Sequence, residues 1–60
     1  MKLTNAKGTK AVNIVIDNGY GTSIYRALFV QIYNGQEQVL DSKDYKSLKM
    51  AKNWAAKKLN

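Results

Sequence analysis

QIYNGQEQVL, residues 31–40, is the stretch whose reading decides the fold. Asn34-Gly35 stands between two runs able to pair as strands. A two-residue type I′ turn needs φ > 0 at both central positions, and Asn-Gly is a preferred dipeptide for it. With Tyr33 and Gln36 flanking that turn, Val30 faces Val39 and Phe29 faces Leu40. Upstream, residues 23–33 (SIYRALFVQIY) are rich in branched and aromatic side chains and read as one long strand, and residues 36–42 read as its return.

Further upstream, residues 10–17 (KAVNIVID) alternate apolar and polar positions, the signature of a half-buried strand. DNGYGT at 17–22 supplies the turn that follows. Pairing Ile16 with Ile24 and Val12 with Leu28 collects Val12, Ile14, Ile16, Ile24, Leu28, Val30, Ile32 and Val39 on one face, which is expected to be the core side. Arg26 falls in that set and is expected near an edge or snorkelling outward. The opposite face then carries Tyr25, Phe29, Tyr33, Gln31, Gln36, Gln38 and Leu40.

Downstream, SLKMAKNWAAKKLN reads as a helix. Ser47 is a good N-cap, with Asp44 as the alternative. Leu48, Ala51, Trp54, Ala55 and Leu59 fall in one arc at about 100° per residue. Trp54 is expected to supply the largest single piece of core. Residues 1–9 lack periodicity and read as a flexible basic arm. The expectation is one α+β domain over residues 1–60, a three-stranded antiparallel sheet (strands about 10–17, 23–33 and 36–42) with a C-terminal amphipathic helix (about 48–59) packed on one face.

Composition narrows the chemistry. The 60 residues include no Cys, His or Pro. A domain this small buries only about 60% of its unfolded surface, so its core is thin. Without Cys there is no disulfide and no thiol nucleophile; without His the commonest general base and metal ligand is missing. No run approaches the roughly 20 apolar residues of a membrane span, and the apolar run after the N-terminal lysines is too short for a signal-peptide core. The expectation is a cytoplasmic protein without membrane contact. Asp17, Glu37, Asp41 and Asp44 are spread over turns and strands, not paired across a cleft. Ser23, Ser42 and Ser47 have no activating base. Gly19 and Gly21 lack the third glycine and the helix of a phosphate loop. The reading is a non-enzymatic protein with no cofactor and no metal.

What remains is surface. The net charge is +6, with +3 in residues 1–10, −2 in 11–42 and +5 in 43–60. A basic balance favours an anionic partner, and equally serves solubility. Aromatics stack bases, and Gln reads an adenine edge. Aromatics also anchor protein interfaces, and they stabilise a small sheet with no partner at all. Lys43, Lys46, Lys49, Lys52 and Lys57 would grip phosphates, or form the wet side of the helix.

The stretch YRALFVQIYNGQEQVLDSKDYKSLKMAKNWAAKKL, residues 25–59, resembles small DNA-binding domains of the AP2 type and the arm-binding domains of tyrosine integrases. It shares a charged-then-aliphatic strand, a Gly turn, a short strand, an aromatic before the helix, and Ala51 and Ala55 at helix-packing positions. It also looks like short phage and bacterial β-β-α proteins. The resemblance implies a sheet docked in a DNA major groove, with Arg26, Gln31 and Gln38 as base readers. Those families carry several Arg on the sheet, whereas this chain has one. The expected contact residues are therefore Tyr25, Arg26, Phe29, Gln31, Tyr33, Gln38, Lys43, Lys46 and Lys49. The expected partner is nucleic acid, DNA before RNA. The alternative is a phage-type inhibitor or adaptor that docks its sheet face or a strand edge on an acidic protein surface, as a monomer or a homodimer.

Overall fold

The computed structural model describes residues 1–60, the side chain of Tyr20 excepted. The elements are β1 (Lys2–Thr4), β2 (Lys10–Asp17), a short 3₁₀ turn (Gly19–Gly21), β3 (Ile24–Tyr33), β4 (Gln36–Tyr45) and α1 (Leu48–Leu59). One antiparallel sheet holds the strands in chain order, β1-β2-β3-β4, with α1 against one face. The sheet therefore has four strands, not three.

The added strand lies in the segment read as an arm. Asn5 makes the turn that brings it back. Its Oδ1 accepts from the backbone N–H of Thr9 at 2.9 Å and of Lys10 at 3.2 Å. Gly8, at φ +69, supplies the left-handed residue of that turn. Leu3 then packs half-buried on the helix side, opposite Val12.

The Asn34-Gly35 turn is as expected, with φ 52 and 76. Val30 pairs with Val39 and Tyr33 with Gln36. One step further a bulge intervenes: Phe29 faces Asp41, and Leu40 is the extra residue in β4. Past the bulge β4 runs on to Tyr45 instead of ending near 42, because Lys43, Asp44 and Tyr45 continue to pair with Ala27, Arg26 and Tyr25. A Cβ on Gly35 would meet nothing within 4 Å, so Gly35→Ala carries only the cost of a left-handed backbone. That cost is about 1 kcal/mol, and the melting temperature is expected to drop by about 4–8 °C. A scanning calorimeter checks it, and an unchanged midpoint would mean that the turn relaxes freely.

The β2–β3 register differs from expectation by one residue. Val12 faces Phe29, Ile14 faces Ala27 and Asp17 faces Ile24. The connecting loop has six residues instead of five, closed by side chains: Asp17 Oδ1 accepts from Gly19 N–H at 3.0 Å, and Asn18 Oδ1 accepts from Ser23 Oγ at 2.7 Å. A one-residue slip exchanges the two faces of a strand. Tyr25, Ala27 and Phe29 consequently face the helix, while Leu28, Val30 and Arg26 lie on the opposite face.

The helix follows its sequence pattern. Ser47 is the N-cap, its Oγ accepting from Met50 N–H at 3.2 Å. Ala51 and Ala55 are fully buried against Val12, Ile14 and Ala27. Small residues here let the helix lie close to the sheet. Leu48, Trp54 and Leu59 flank that contact half-buried, so Trp54 covers the margin of the core instead of filling its centre. On the other face, Ala11 and Val30 form a buried cross-strand pair. Glu37, near the β3–β4 turn, reaches across to Lys2 and Asn13 on that face, which requires the sheet to coil strongly.

Candidate nucleic-acid interface

The two sides of the sheet differ in how their charges are used. On the side away from α1, each cation has a carboxylate. Lys2 bonds Glu37. Arg26 binds Asp44 with two bonds, Nε to Oδ1 at 3.0 Å and Nη2 to Oδ2 at 3.4 Å. The hydrogen bond to Asp44 and its charge hold the guanidinium pKa above its ordinary value. Hydrogen bonds from Lys2 and then Asn13 hold the Glu37 carboxyl below its usual range. Both pairs are exposed, and such pairs contribute little to stability.

The helix side is different. Lys58 is the exception there, with Nζ 3.1 Å from Asp41, whose pKa is lowered first by that bond and then by the Ser42 backbone N–H. Lys43, Lys46, Lys49, Lys52 and Lys57 follow along β4 and α1, and Lys7 and Lys10 stand at the β1–β2 turn and the start of β2. Among the described residues none of these seven is paired with a carboxylate. Lys10 and Lys58 converge on Phe29, with Nζ 5.9 and 5.7 Å from the ring centre, and Lys58 is also 5.3 Å from the Trp54 ring. Ammonium groups over ring faces are attracted by the ring quadrupole, which holds these lysines near the helix end.

Beyond that end, β3 and β4 continue as a bare hairpin. Gln31 pairs with Gln38 and Tyr33 with Gln36, so all four side chains project from one face. With Glu37 they line an open concavity of about 300 Å³. Tyr33 is 73% exposed. Lys10 sits directly opposite Gln31 on the neighbouring strand. A second concavity of about 370 Å³ is lined by Lys7, Thr9, Lys10, Lys58 and Asn60 among others, so that Lys10, the cross-strand partner of Gln31, belongs to its wall.

The expected contact residues thus divide. Gln31, Tyr33 and Gln38 are together and exposed. Tyr25 and Phe29 are half-buried under the helix and are unavailable for stacking. Arg26 is exposed on the open face, not on the core side, and bound to Asp44. Lys43, Lys46 and Lys49 are exposed along the β4–α1 side, away from the hairpin end. What the β2–β3 register adds is the place of Lys10, directly beside Gln31. Among the described residues no cluster of three His, Cys, Asp or Glu could hold a metal ion. No helix is long and apolar enough to cross a membrane. Comparison with protein-family models, curated proteins and solved structures yields no match.

Proposed function

We propose that this chain is a small non-enzymatic nucleic-acid-binding module. The observation that carries the reading is the segregation of charge: cations on the open sheet face are neutralised by Glu37 and Asp44, while seven lysines on the helix side and the β1–β2 turn are unpaired among the described residues. An unpaired lysine row gains by releasing counterions from a phosphate backbone. The lysines position the polymer, and the exposed Gln and Tyr side chains contact bases. The supporting experiment is fluorescence anisotropy with random-sequence DNA at ~50 and ~200 mM salt. Binding is expected at low salt and should weaken by orders of magnitude over that range. No binding at ~50 mM would sink the proposal.

A second reading is supported by the outer margin of the sheet. β4 is an open edge ten residues long, with Val39 and Leu40 about half exposed. Tyr45, Met50 and Trp54 line a groove beside it. An acidic protein segment could pair there. The bulge at Leu40 and the charges of Asp41, Lys43 and Asp44 blunt that edge, which ranks this reading second.

A further inference from the structure

The geometry points to the hairpin end, Gln31, Tyr33, Gln36 and Gln38 with Lys10 beside them, as a site for single-stranded nucleic acid that stacks an unpaired base on Tyr33. This inference rests on the nucleic-acid reading and narrows it to a ligand class. A duplex hides the faces of its bases and offers only edges in its grooves. A tyrosine 73% exposed on a protruding hairpin offers a ring face, and only an unstacked base can use it. The concavity beside the ring is lined with amides, which donate and accept together and so suit any base edge.

The electrostatics agree with the same path. Lys10 lies opposite Gln31, and Lys7, Lys10 and Lys58 line one concavity on that side. A strand whose base rests on Tyr33 would place its next phosphates along those lysines. Glu37 is the one carboxylate at the site, and it is bonded to Lys2 and Asn13. Its charge is thereby offset instead of facing the ligand unopposed.

The test compares labelled 12-nucleotide single strands, dA12, dT12 and rA12, with a duplex of the same length, at ~50 mM salt. Tyr33→Ala is expected to weaken single-strand binding about tenfold or more, while duplex binding holds, and Tyr33→Phe is expected to keep the wild-type affinity because stacking needs the ring alone. Because Tyr33 is exposed, Tyr33→Ala should melt close to the wild type, which shows that the loss is local. The DNA and RNA strands separate the two sources of an unpaired base. If Tyr33→Ala leaves single-strand affinity unchanged, or weakens single strand and duplex equally, the inference falls while salt-sensitive binding keeps the broader reading. If the wild type binds none of the oligonucleotides, both fall.

Discussion

Replacing Ala51 or Ala55 with leucine is expected to destabilise the protein by about 1–3 kcal/mol each, through overpacking. Both are fully buried where α1 meets Val12, Ile14 and Ala27, leaving a larger side chain no outward path. A chain of 60 residues has on the order of 3–9 kcal/mol in total, at roughly 0.05–0.15 per residue. The double variant, losing about 2–6 kcal/mol, should therefore forfeit most of that stability and unfold at a much lower urea concentration, allowing for coupling between neighbours. Ala56 is exposed on the same helix, and Ala56→Leu is the control expected to change little. Urea titration followed by Trp54 fluorescence measures all four. A normal midpoint for Ala51→Leu would mean that the helix stands further from the sheet.

The second large effect is on binding. Removing Lys7, Lys10 and Lys57 together as alanines takes the net charge from +6 to +3. If each contacts one phosphate, the slope of log affinity against log salt should flatten by about 2.1 on single strands, at roughly 0.7 per contact, and by about 2.7 on duplex, at roughly 0.9 per contact. Affinity at ~50 mM salt should fall by more than tenfold. Lys2→Ala is the control, because Lys2 is already held by Glu37 and lies on the other side of the sheet. Equal effects from the triple variant and from Lys2→Ala, per charge removed, would show that only total charge matters and that no face is used.

What the sequence disclosed was local. Asn34-Gly35, the Ser47 cap and the apolar arc of the helix depend on residues within a few positions of one another. The β2–β3 register does not. A five-residue and a six-residue loop fit the same turn composition, and the choice is made by the side chains of Asp17 and Asn18 closing the loop. That choice moved Tyr25 and Phe29 under the helix and turned Arg26 outward. β1 is three residues with a single apolar position, too short for alternation to register; its trace was the Asn5 to Gly8 turn.

Tyr33 keeps its exposure despite the exchanged faces, and length explains why. It has the same parity as Tyr25 and Phe29 along β3. A helix of 12 residues spans about 18 Å, whereas a strand of 10 residues spans about 33 Å. With its last turn over Phe29, α1 ends before the hairpin does. The amide and aromatic cluster is therefore the uncovered extension of the core face itself.

The strand order also governs the sequence of events by which the molecule forms. Every strand pairs with the one beside it in the chain, so the sheet can grow hairpin by hairpin through short loop closures. The return of α1, which brings Ala51 and Ala55 to Val12, spans most of the chain. During synthesis the sheet would be laid down first and left unsealed, its aromatic face open until the last turns of α1 arrive. With no proline, no prolyl isomerisation delays that final step.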